Sequence, residues 1–228
     1  MDDKQIKVDA SASVAGNSIK ASVEGDQKAV SEFFSGIVPD FIKDGAGILS
    51  DQVKYWRWER QVEIIKSAQQ KIKASGLEKK QIPLKVLVPI IQNSSLEDDV
   101  AMQDKWSNML ANASTGNVDV SPNYAAILNE LSPLEVSILT QIYSQVNKES
   151  DYQKRKDMKF DAEKIRGMLF IEEPKMDLII ENLFRLNLFQ PPAGDGITVG
   201  EFKFTLRTNK VFEFTTLGYE FVKACSWE

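Results

Sequence analysis

The chain has no histidine and one cysteine, Cys225, among its 228 residues. Without histidine there is no Ser–His or Cys–His catalytic pair, no imidazole general base and no His-ligated zinc or haem. A lone cysteine makes no intramolecular disulfide, no Cys-rich zinc site and no iron–sulfur cluster. No apolar run approaches the roughly 20 residues that span a bilayer. The residues Met1–Gln5 carry no apolar stretch of a secretory leader. With a single free thiol, a reducing cytoplasm is the expected compartment. Neither G-x-x-x-x-G-K-S/T nor G-x-G-x-x-G, the Gly-rich phosphate loops, occurs. The expectation is a non-enzymatic protein, with no cofactor, no metal and no small-molecule substrate inferred.

What is present is ordinary in amount and uneven in placement. The chain is 43% hydrophobic, with 28 Lys+Arg against 33 Asp+Glu and a net charge of −5. From Lys54 to Lys85 there are nine Lys/Arg and three Asp/Glu, a local net of +6. From Glu97 to Asp104 there are four acids and no base. These are either two solvated helix faces of opposite sign that oppose each other, or a surface for an anionic partner. In the second case the contacts are Lys54, Arg57, Trp58, Lys66, Lys71, Lys73, Lys79 and Lys80. Tyr55-Trp56-Arg57-Trp58 heads the basic stretch; aromatics among cations suit a lipid headgroup region or a stacking platform. Trp56 and Trp58, two apart, face different sides of a helix, so Trp56 is expected in the core and Trp58 partly exposed.

The pattern along the chain predicts a mainly α protein with small β (α+β) in three parts. Residues 4–24 alternate apolar and polar around Ala15-Gly16-Asn17-Ser18, the signature of a β-hairpin. Its apolar side chains are small, so 1–26 is read as a docked or self-pairing hairpin or a flexible tail. Residues 27–131 read as a helical module. A long helix from about Leu49 to Lys73 ends at Ser75-Gly76. Pro83 fits a first helical position and Pro89 an end or kink. Ser94-Ser95-Leu96-Glu97 reads as a capping box opening a helix Leu96–Ala113, with Leu96 and Val100 turned to the core. The acids Glu97, Asp98 and Asp99 then suit the helix dipole rather than acid–base chemistry.

Residues 132–228 read as a winged-helix-like domain. Ser132-Pro133-Leu134-Glu135 is a capping box with proline at the first helical position, and Leu131 and Val136 stand at staple positions. Helices near Asp161 and at 174–187 follow. Then come strands Ile197–Phe204 and Lys210–Thr215, turning at Arg207-Thr208-Asn209-Lys210, and a last helix Thr216–Cys225. The helix placed to enter a DNA groove carries Lys175, Asp177, Glu181 and Arg185, a net of zero. The domain holds 13 bases and 15 acids. Lys154, Arg155 and Lys156 of the linker, with Lys203, Arg207 and Lys210 of the wing, offer weak phosphate contact rather than base readout.

Several landmarks together resemble the abortive-infection alpha (Abi-alpha) family of bacterial proteins. They are Pro89, Ser95-x-Glu97-Asp98, Trp106-x-x-Met109-Leu110-Ala111-Asn112-Ala113 and Leu128-x-x-Leu131-Ser132-Pro133-Leu134-Glu135. Near the end come Leu186-x-Leu188 and Thr215-x-Leu217-Gly218-x-x-Phe221-x-x-Ala224-Cys225. The resemblance spans roughly 50–225, and the Trp-x-x-Met-Leu-Ala-Asn-Ala run is its most specific part. It implies a protein connected with resistance to bacteriophage and supplies no catalytic residues. The leading expectation is therefore a defence protein acting through a protein partner or homo-oligomer. The alternatives are a winged-helix nucleic-acid regulator and a membrane-surface effector working through 29–75.

Overall fold

The computed structural model describes residues 28, 30, 32, 33, 55–192, 196–199, 202–205 and 211–227, and of 55–59, 196–199 and 202–205 the backbone alone. The expected hairpin at 4–24 lies outside the described residues. So do Lys54, Arg207, Lys210 and the side chains of Arg57, Trp58 and Lys203.

The fold is mainly helical with small antiparallel sheets. Helix α1 (Tyr55–Ser75) stops at Gly76, whose φ of +69° suits a residue without Cβ. It buries Val62, Ile64, Ile65, Ala68 and Ile72. Helix α2 (Leu84–Ser94) has Pro83 at its N-cap and runs through Pro89. The proline is absorbed within the helix rather than ending it. Helix α3 (Val100–Thr115) is the centre of the molecule, packed on α1 and α2 and on the later helices α5 and α9. Gly116, at φ +65°, closes it. Helix α4 (Tyr124–Asn129) is short and packs on α2.

Two expectations fail at the entry to α3. Ser94 and Ser95 do not cap it: their hydroxyls turn back to the carbonyls of Ile91 and Gln92 and finish α2. The N-cap is Asp99, which accepts from the Met102 amide at 3.0 Å. Leu96 and Val100 consequently lie outside the apolar stripe, and Val100 is 78% exposed. A serine hydroxyl one turn from a helix end has a choice between two helices, and here the preceding one takes it.

The second half opens as the sequence suggests. Helix α5 (Pro133–Val146) has the capping box: Glu135 N–H donates to Ser132 Oγ, and Ser132 N–H donates to Glu135 Oε2 at 2.7 Å. Then follow α6 (Tyr152–Lys156), β1 (Lys159–Asp161), α7 (Ala162–Leu169) and α8 (Glu173–Arg185). Strands β2 (Phe189–Gln190), β3 (Gly196–Val199), β4 (Phe202–Thr205) and β5 (Val211–Phe214) lead into α9 (Thr216–Ala224). The span 197–204, expected as one strand, is two: β3 and β4 pair antiparallel, Val199 opposite Phe202. A glycine near the centre of an apparent strand, Gly200 in this sequence, is a break signal that the flanking β-formers mask. The other sheet has the order β1-β5-β2, antiparallel throughout. Phe160, Phe212 and Phe189 lie one against the next across it, with ring centroids 6.0 and 4.1 Å apart. One cluster of buried side chains runs from Val30 to Cys225, so the two halves share a core.

Candidate functional site

The cations of 54–85 do not form one free surface. Lys71 reaches across from α1 to α3, pairing with Asp104 Oδ1 at 2.7 Å and donating to Ser107 Oγ. Ser67 and Ser107 hydroxyls extend the same ladder at 3.1 Å. Burial alone would raise the Asp104 carboxyl. The Lys71 ammonium and the Asn108 amide outweigh it and hold the carboxyl below its ordinary value. Lys79 donates to the carbonyls of Glu32 and Phe33, at 2.8 and 3.3 Å, and lies over the Phe33 ring. Burial, then repulsion from Lys73, lowers its pKa. Lys66 is half-buried; Lys73 and Lys80 are exposed, and Lys80 lies against Gly116. The opposed-faces reading thus has a physical contact behind it at Lys71–Asp104. The apolar side of α1 is covered by α3.

The strongest family landmarks lie at a buried seam. Asn112 of α3 donates to the carbonyls of Ala224 at 3.0 Å and Ser226 at 2.8 Å. Asn108, one turn earlier, donates to Cys225 O at 3.0 Å. The last carbonyls of a helix have no partner within it, and two side-chain amides supply one here. At the other end of α9, Thr215 is the N-cap and accepts from Gly218 N–H at 2.8 Å. Its own hydroxyl donates toward Asn187 O and Leu188 O. A Cβ on Gly218 would overlap Leu188 O and the Phe214 ring, so only glycine fits. Trp106, Met109 and Leu110 are buried beneath. Cys225 is fully buried, which pushes its thiol far up, away from the thiolate a nucleophile needs. Among the described residues no cluster of three or more His, Cys, Asp or Glu could hold a metal. Nor is any described helix long and apolar enough to cross a membrane.

Two surface features remain. Between α5, α6 and the start of α9 the Arg155 guanidinium lies 4.6 Å from the Tyr219 ring centroid and 6.0 Å from that of Tyr152. It also donates to the Tyr219 hydroxyl at 2.7 Å, and that hydroxyl donates to Asn147 Oδ1. Tyr152 and Arg155, three apart on one short helix, were legible as neighbours in sequence; Tyr219, 64 residues on, was not. Lys154 and Lys156 flank this stack and are exposed. The second feature is the α7–α8 unit. Phe170 ends α7 in the left-handed region, at φ +53°, and is 94% exposed. Met168 and Leu178 are exposed too. No charge pattern pointed to Phe170.

The fold is that of a mainly helical protein with small antiparallel sheets in its second half. A family model described as abortive infection alpha matches residues 59–225, most of the chain. The chain belongs to the abortive infection alpha family. No curated protein and no solved structure matches it.

Proposed function

We propose that this chain is a non-enzymatic phage-defence protein that acts through protein contact, with a partner or with further copies of itself. The family's name supplies the process. The observation that supports contact is the α7–α8 surface. A groove-reading helix presents Arg, Lys, Asn or Gln to base edges. Helix α8 exposes Glu173, Pro174, Lys175, Asp177, Leu178 and Glu181, so three acids surround its one free-standing lysine, and its Arg185 is held by Glu130 at 2.6 Å and by Asn182. Phe170 stabilises little within the chain: its ring is in water and its backbone is strained by about 1 kcal/mol. Exposed aromatics of this kind anchor protein interfaces.

The test is plating of a phage panel on bacteria carrying the chain. The wild type should lower plating, and a folded Phe170→Asp, Leu178→Glu variant should restore it. Full protection by that variant would overturn the contact reading, and no protection by the wild type would overturn the defence reading.

The second reading is a winged-helix regulator. It draws support from the order of helices α5, α7 and α8 followed by the β3–β4 pair and α9, with α6 and β1 between α5 and α7, and from Lys154, Arg155 and Lys156. Titrating duplex DNA across a salt series tests it, since phosphate contacts make log K fall linearly with log salt. Salt-independent or absent binding removes it.

A further inference from the structure

The depression beside Arg155 has the chemistry of a ligand site. It is lined by Val146 and Phe214 on its apolar side, by Tyr152, Arg155 and Lys156 on another, and by Thr215, Thr216 and Glu220 at the start of α9. It is an open depression whose enclosed space is about 30 Å³, room for a water molecule or two rather than for a whole small molecule. It therefore suits one end of a ligand rather than a large enclosed cofactor.

We infer that this pocket binds a nucleotide unit, its phosphate held by Arg155 and Lys156 and its base laid against the Tyr152 ring. Three observations converge. First, neither cation is neutralised: among the described residues no carboxylate pairs with Arg155 or Lys156, and Arg155 uses one of its five N–H groups on Tyr219. Second, Arg155 is half-buried and held over the Tyr219 ring and against its hydroxyl, with the Tyr152 ring 6.0 Å away, so its guanidinium is positioned at the depression rather than loose in solvent. Third, Tyr152 is a 56% exposed aromatic on the lining, and its hydroxyl lies 3.3 Å from Thr216 Oγ1. Glu220 is the one acid on the lining. It repels a second phosphate but accepts from a base amino group, so a single phosphate with a base fits better than a polyphosphate.

A phosphate and base of this kind come either as a free nucleotide or as one residue of a single strand. The full chain is titrated calorimetrically with inorganic phosphate, adenosine, adenosine 5′-monophosphate and an eight-nucleotide single-stranded DNA. The expected result is saturable binding of the monophosphate, the strand or both, at least tenfold tighter than adenosine. Binding of the monophosphate identifies a free nucleotide as sufficient; binding of the strand alone identifies a polymer. Lys156→Glu, at an exposed position with no partner to lose, should weaken binding at least tenfold. Lys154→Glu, on the same helix but outside the lining, should change monophosphate binding less than twofold. The inference is overturned if neither phosphate ligand binds, if adenosine binds as well as its monophosphate, or if the two lysine variants weaken binding of whichever ligand binds equally.

Discussion

The seam between α3 and α9 and the turn between α7 and α8 follow opposite rules. In the seam the ends of α9 are tied down: the Asn108 and Asn112 amides take its last carbonyls, Thr215 takes the Gly218 amide, and Gly218 leaves room for a neighbouring carbonyl. At the turn a phenylalanine holds a backbone conformation better suited to glycine and keeps its ring in water. The difference teaches that local stability is spent unevenly in this chain: it is concentrated where α9 is clasped and given up where Phe170 stands in water.

The largest effect expected within this comparison is at Gly218. Gly218→Ala places a methyl against Leu188 O and Phe214, with no flexible atom able to yield on the carbonyl side. A loss of about 3 kcal/mol or more is expected. Denaturant unfolding measures it, and a loss below about 1 kcal/mol would show that the seam can relax. Asn112→Ala comes next. It strands the carbonyls of Ala224 and Ser226 in a buried place, a cost of about 1–3 kcal/mol in the same measurement.

Alkaline pH probes the seam through Cys225. Its folded pKa is raised, so the stability it contributes is fully present below the unfolded value near 8.5 and is lost as pH rises above it. Tyr124, pushed up to about 12 mainly by burial, adds the same sign at higher pH, from an unfolded value near 10. The melting temperature should fall from pH 8.5 to 10, and less steeply in Cys225→Ala; equal slopes would disconnect the thiol from the effect. The smallest effect is at the turn and has the other sign. Phe170→Gly should stabilise the chain by about 0.5–1 kcal/mol, because glycine takes φ +53° without strain. Destabilisation there would mean the ring packs in a way its exposure does not suggest.

The legibility of this molecule depends on how far a signal reaches along the chain. Ser132-Pro133-Leu134-Glu135 was readable because its hydrogen bonds close within four residues. The Ser94–Glu97 signal is composed of the same residue types and misled, because its hydroxyls serve the preceding helix. Asn112 stood out in the family motif, but its partners lie 112 and 114 residues on, which no local pattern encodes. Lys71 was readable as a cation, and its pairing with Asp104 required α1 and α3 to pack. The Arg155 stack was half-legible, since Tyr152 is local and Tyr219 is not. Phe170 was not legible at all: a φ above zero at a phenylalanine contradicts every propensity.

The clasp of α3 on residues 224–226 also governs the order in which the molecule can be completed. Helix α3 emerges from synthesis early; its Asn108 amide meets Asp104 within the helix, but the Asn112 partners come only after more than a hundred further residues have been made. Contacts of such long sequence separation form late and slow folding. The first half therefore waits, with its central helix incompletely satisfied, and a nick anywhere between Val146 and Asp151 would leave two fragments that still need each other to close the core.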